Sequence, residues 1–121
     1  MKYKVIGPTH KLKGTCVYVL RDAEGTVLYV GKGDVLDRLR KHIADVDKTQ
    51  WVGEIDRVAV HGTDLTNTQA LALEEDLIGQ LNPLYNVDRH PFQSVFGNTL
   101  DLGVNLPKAQ RVFFLGIEWG H

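Results

Sequence analysis

Residues 16–31, CVYVLRDAEGTVLYVG, decide the fold. Two β-rich runs, Cys16–Arg21 and Thr26–Gly31, flank Asp22-Ala23-Glu24-Gly25. That loop has the length and the glycine of a four-residue hairpin connection. If Arg21 faces Thr26, then Tyr18 faces Tyr29, and opposed residues share one face of a sheet. Two phenols then stand side by side. A cross-strand aromatic pair that only stabilises the sheet is the plain account of them.

Downstream, Gly31-Lys32-Gly33 breaks the second run, and Asp34 suits the N-cap of a helix reaching about Val46. Leu36, Leu39, Ile43 and Val46 form its expected apolar stripe, with Arg38 and His42 together beside it. Val52–Val60 contains a third strand, clearest in Arg57–His61 (RVAVH). Thr66–Leu81, TNTQALALEEDLIGQL, is an amphipathic helix that opens on a capping box of Thr66 and Gln69. Ala70, Leu77, Ile78 and Leu81 define its buried stripe, and Glu74 lies in the middle of it. Glu75 and Asp76 point elsewhere. A carboxylate aimed at a core is costly unless it meets a cation or a metal. The helix alone leaves two readings open: such a site, or a Glu that reaches the protein edge or pairs with one Arg. Pro83 ends the helix near Leu81, and Asn82–Val87 turns into an extended segment.

The flanks complete the expected architecture. Tyr3 and Val5 in the basic lead-in Met1–Gly14 suit a short edge strand, Ser94–Lys108 a long loop, and Gln110–Trp119 a late strand. The fold class is therefore α+β: a small antiparallel sheet, made of the hairpin and a third strand, flanked by helices, with a C-terminal strand and loop added. A length of 121 residues fits a single domain, with its core at 15–87, an arm at 1–14 and an extension at 88–121. No apolar run approaches the ~20 residues of a membrane span, and MKYKVIGPTHKLKG lacks the apolar centre of a secretory signal. The lone Cys16 excludes an internal disulfide and a cysteine-built zinc site. His10, His61, His90 and His121 have no metal-ligand spacing and read as structural or surface residues.

The net charge of −1 gives no global basic field. Its distribution says more, with +4 on residues 1–14 and −5 on residues 51–90. The basic arm and the cluster Arg38, Arg40, Lys41, His42 form a candidate phosphate-binding surface. A charge cluster on a helix is more often just a solvated face.

Cys16-Val17-Tyr18, Tyr29-Val30-Gly31, an Arg on the next helix, a Glu on a later one and Pro83-x-Tyr85-Asn86 together resemble the GIY-YIG nuclease superfamily. The resemblance covers residues 15–87, with Cys16 in place of the first glycine. It implies that Tyr18 and Tyr29 line the site, one of them near the attacking water. Arg38 then contacts the scissile phosphate, and His42 assists proton movement. Glu74 holds a single divalent metal, Mg²⁺ or Mn²⁺. Asn86 tethers the site as a substrate-side residue, and Lys32 lowers the pKa of a Tyr. The loop before the helix is one residue shorter than in homing-endonuclease members, so Arg40 competes with Arg38, which lies nearer the apolar stripe. Arg40 and Lys41 add to substrate binding.

The expected function is a divalent-metal-dependent endonuclease that hydrolyses phosphodiester bonds, of DNA rather than RNA. The alternative is a non-catalytic nucleic-acid-binding or protein-interaction module on the same scaffold. The favoured setting is a bacterial toxin domain carried on a secreted effector, acting in the cytoplasm and met by an immunity protein. A small repair or mobile-element nuclease is the other setting. The oligomeric state is left open.

Overall fold

The computed structural model describes residues 2–86 and 110–120. Its five strands are β1 (Tyr3–Ile6), β2 (Thr15–Arg21), β3 (Val27–Gly33), β4 (Arg57–Leu65) and β5 (Phe113–Trp119). They form one sheet in the order β1-β5-β4-β2-β3, and every neighbouring pair is antiparallel. The helices are α1 (Val35–Ala44), α2 (Thr49–Val52) and α3 (Asn67–Leu81). The α+β expectation holds, and the edge strand expected in the N-terminal arm is β1.

β2 lies inside the sheet between β4 and β3, and Cys16 to Leu20 are all buried. Period-two alternation divides them between two cores. Cys16, Tyr18 and Leu20 pack with Val35, Leu39, Trp51 and Val52 on one face. Val17 and Val19 pack with Ala70, Leu77 and Ile78 of α3 on the other. β2 is thus covered on both faces, which is why its sequence is an unbroken apolar run.

The structure differs from expectation in four places. The hairpin register is the first: Tyr18 pairs with Gly31 and Leu20 with Tyr29, after a bulge between Leu20 and Arg21. Asp22 Oδ1 accepts from the amides of Glu24 and Thr26, at 2.9 Å each, which draws Thr26 into the turn. The pairing moves by two residues, so both tyrosines keep one face. The bulge turns Leu28 and Tyr29 to that face together.

The stripe of α1 is the second. Val35, Leu39 and His42 are buried, whereas Leu36 is 42% exposed and Val46, beyond the helix end, 77%. Asp34 caps α1 through the amide of Asp37 and sets Val35 as the first inward residue. Burial of Val35 and Leu39, about 2 kcal/mol each, carries His42 onto the sheet. The third is Val52, which belongs to α2 rather than a strand; β4 starts at Arg57 and runs on to Leu65. The fourth is the late strand, which is no appendage: β5 lies inside the sheet, between β1 and β4.

α3 matches its sequence closely. Thr66 and Gln69 form the reciprocal capping box, and Asn82 ends the helix in a left-handed conformation with φ 48°. The chain then runs along β3, where Leu84 and Tyr85 donate backbone amides to Val27 and Leu28. That covers an otherwise open sheet edge. The expected loop Ser94–Lys108, and Val87, His90 and His121, lie outside the described residues.

A candidate active site at the end of the hairpin

At the end of the hairpin away from its turn, α1, β2, β3 and α3 line a pocket of about 250 Å³. That is the liquid volume of about eight waters. Tyr18, Tyr29, Lys32, Arg38, Lys41, His42 and Glu74 all line it, as do Asp45 and Lys48 from the chain after α1. Seven residues singled out in the sequence are thereby brought together.

The glycines of Gly31-Lys32-Gly33 make room for this. A Cβ on Gly31 would stand 2.5 Å from Tyr18 Oη, because the phenol lies across that glycine. A Cβ on Gly33 would stand 2.6 Å from Arg38 Nε, and Gly33 has φ +127°, which favours glycine in its own right. The expected strand break is not there, since β3 stays paired with β2 through Gly33, and the two glycines instead form a double cradle, one under the phenol and one under the guanidinium.

Tyr18 Oη and His42 Nε2 are 3.0 Å apart in a buried hydrogen bond. Lys48 Nζ donates to His42 Nδ1 at 2.8 Å. Burial, then Lys48, then Arg38 push the His42 pKa down to about 4, against a smaller upward pull from Asp45. The imidazole is neutral at pH 7. Burial, with Tyr29 and Glu74 adding to it, raises the Tyr18 pKa well above the ordinary phenol value, and Arg38 only partly opposes this. Tyr18 is therefore a held phenol, which corrects the expectation of a depressed pKa for this tyrosine.

Tyr29 is fixed as a ring. It stacks on Trp51 at 5.7 Å and 17°, and Trp51 stacks on Tyr85 at 5.0 Å and 10°. The His42 ring meets Tyr29 edge-on at 4.8 Å, and Lys48 Nζ lies 5.4 Å from the Tyr29 centroid. Trp51, Tyr85, Lys48 and the cradle role of the glycines were missed in the sequence. Lys48 follows His42 by six residues across a helix end, so no periodicity links them. The glycines read only as strand breakers.

Two expected substrate-binding residues lie elsewhere. Arg40 pairs with Asp37 at 2.7 Å on the exposed side of α1 and does not line the pocket. Of the two, Arg38 is the one that lines the pocket. Lys41 does both, pairing with Asp37 at 3.1 Å and lining the pocket. Asn86 is corrected more fully. Its amide accepts from Val30 N at 2.8 Å and donates to Val30 O at 2.9 Å, buried. It is a clamp on β3 rather than a substrate contact.

Glu74 is buried and brings a hard carboxylate oxygen to the pocket. No group of three or more His, Cys, Asp or Glu converges as a metal cage among the described residues. Both His42 nitrogens are already engaged. The donor set therefore fits a hard cation of the Mg²⁺ type, bound by one carboxylate with waters filling its shell, and does not suit a zinc centre.

Residues 14–87 match the family described as "UvrC-like GIY-YIG domain". The chain is 32% identical over 103 residues to the UvrABC system protein C of Geotalea daltonii, covering 79% of this chain and 16% of that protein. It is 32% identical over 98 residues to that of Geobacter metallireducens, covering 76% and 16%. With that of Alcanivorax borkumensis it shares 40% over 76 residues, covering 59% and 12%. The chain thus spans about 16% of the length of the first of these relatives.

Proposed function

The chain belongs to the family of UvrC-like GIY-YIG domains and through it to the nucleic-acid endonucleases, and from that premise we propose that its pocket hydrolyses phosphodiester bonds of DNA with one divalent cation. The observation that carries this is the convergence of Tyr18, Tyr29, Arg38, His42 and Glu74 on one pocket from four elements. A non-catalytic binding module has no need of a buried carboxylate beside two phenols and a guanidinium.

Arg38 lies at the pocket with no ion-pair partner among the described residues, unlike Arg40, and it takes the charge of the scissile phosphate. Lys32 and Lys41 hold the flanking phosphates. Glu74 holds the cation, which when bound supplies charge neutralisation at the phosphate. Tyr18 stays a phenol and donates a hydrogen bond to a phosphate oxygen, while the proton lost by the attacking water passes through solvent to the departing oxygen. Tyr29, held by Trp51 and Lys48, orients that water. His42 keeps Tyr18 in place and remains neutral.

The relatives share the name UvrABC system protein C, and a role beside such a system is our preferred setting. A secreted toxin with an immunity partner gains nothing from these relatives. No helix among the described residues is long and apolar enough to cross a membrane, and we place the activity in the cytoplasm, where DNA is. The test is incubation with supercoiled plasmid, linear DNA and RNA in Mg²⁺, in Mn²⁺ and in EDTA. Nicking of plasmid in either metal and none in EDTA is expected. Cleavage unaffected by EDTA, or of RNA alone, overturns this reading.

A further inference from the structure

Lys48 has no role in the reading above beyond its contact with Tyr29, yet its side chain is only 30% exposed and its ammonium reaches the imidazole of His42. An ammonium has three donors and no lone pair. At 2.8 Å from Lys48 Nζ, Nδ1 of His42 must therefore be the acceptor and carry no proton. An imidazolium would set a second N–H against the ammonium at that distance. The single ring proton then resides on Nε2, 3.0 Å from Tyr18 Oη.

We propose that Lys48 is a positioning residue which fixes His42 in its Nε2–H form, so that His42 donates to Tyr18 Oη and the Tyr18 proton is turned into the pocket. Without Lys48, nothing dictates the direction of the hydrogen bond between the two rings. Tyr18 would then donate to Nε2 as readily as accept from it, and its proton would be withheld from a substrate. The surrounding groups support the assignment. Arg38 is a further cation that opposes charge on the ring, and burial adds to this. Asp45 lies 3.9 Å from Lys48 Nζ as its ion-pair partner. Tyr29 and Trp51 hold the ring from its sides, with centroids at 4.8 Å and 6.0 Å. In general, the hydrogen bond at one imidazole nitrogen decides which nitrogen carries the proton.

The ring assignment stands apart from the nuclease reading, whereas its catalytic consequence rests on it, so the test has two arms. Protein labelled with ¹⁵N-histidine gives the tautomer directly, and the His42 signals are identified by their loss in His42→Gln. The Nε2–H form is expected in the unsubstituted protein and in Lys48→Arg. Lys48→Glu supplies an acceptor and is expected to move the proton to Nδ1, and Lys48→Met to give a mixture. An Nδ1–H form or an imidazolium at neutral pH in the unsubstituted protein overturns the proposal. So does a Lys48→Glu or Lys48→Met spectrum matching the unsubstituted one. In the second arm, Lys48→Met lowers kcat on plasmid about 10-fold to 100-fold with KM unchanged, and Lys48→Arg restores it. Normal kcat in Lys48→Met beside a changed tautomer overturns the catalytic consequence. A protein that never cuts, but shows the expected tautomers, contradicts the nuclease reading and leaves the ring assignment intact.

Discussion

α1 and α3 both aim one polar side chain along a buried line, and the two are handled differently. His42 on α1 is satisfied by Tyr18 and Lys48 at its two ring nitrogens. Glu74 on α3 brings a carboxylate to the pocket from the opposite core. One helix delivers a neutral group already engaged by the protein, together with the cation Arg38. The other delivers the negative charge that a bound cation requires. Division of labour between the faces of a sheet lets each helix keep a largely apolar interior while the polar chemistry is concentrated at one opening.

The widest separation between the helices comes from removing charge on α3. Glu74→Gln keeps the shape of the side chain and is expected to abolish metal-dependent cleavage. Because burying a carboxylate is costly, the metal-free melting temperature should hold or rise, by an amount equivalent to ~1 kcal/mol at most. Glu75→Gln should cut within a few-fold of the parent. Plasmid nicking rates beside thermal melts read both.

On α1, Arg38→Ala should lose about 10²–10³-fold in kcat with the fold intact, and Arg40→Ala only a few-fold. The reverse order of activities would place the phosphate on the outer face of α1. Tyr18→Phe and Tyr29→Phe should each cost about 10²-fold. Tyr18→Phe should also lose about 1 kcal/mol of stability with its bond to His42. If both cut normally, the phenols are a packing pair alone.

How much of this was legible differs between the same two helices. α3 is marked by the Thr66/Gln69 box, a long stripe and Pro83, so the buried position of Glu74 is legible in the sequence. α1 is only ten residues long, and its leucines at 36 and 39 admit two rotations. Which one holds depends on Val35 and on the sheet beneath it, and no local pattern carries that. The hairpin was read in kind but shifted in register, because the Asp22 side chain competes for the amides that would have paired. The place of β5 between β1 and β4 depends on contacts across the whole chain.

A smaller effect separates the helices by pH. The His42 pKa is lowered to about 4 from 6.5, so the unfolded chain takes up the proton first. Stability from this group is full above pH 6.5 and is lost as pH falls towards 4. His61, lowered by burial and then by Arg21, acts in the same direction. The difference in melting temperature between the parent and His42→Gln isolates the α1 contribution, and it should narrow steadily from pH 7 to pH 5. A constant difference would mean that His42 is not buried in its neutral form.

The central claim is that Glu74 makes the pocket a cation site, and Mn²⁺ titrated into ¹⁵N-labelled protein tests it most directly. Asp22, Glu24 and Glu54 line a second hollow without converging as a metal cage, and their amides serve as the control. Amides around Glu74, Gly31 and Lys32 are expected to broaden first, and Glu74→Gln to abolish this while leaving the rest of the spectrum in place. Broadening that begins at Asp22, Glu24 and Glu54, or that persists around the pocket in Glu74→Gln, would contradict the claim.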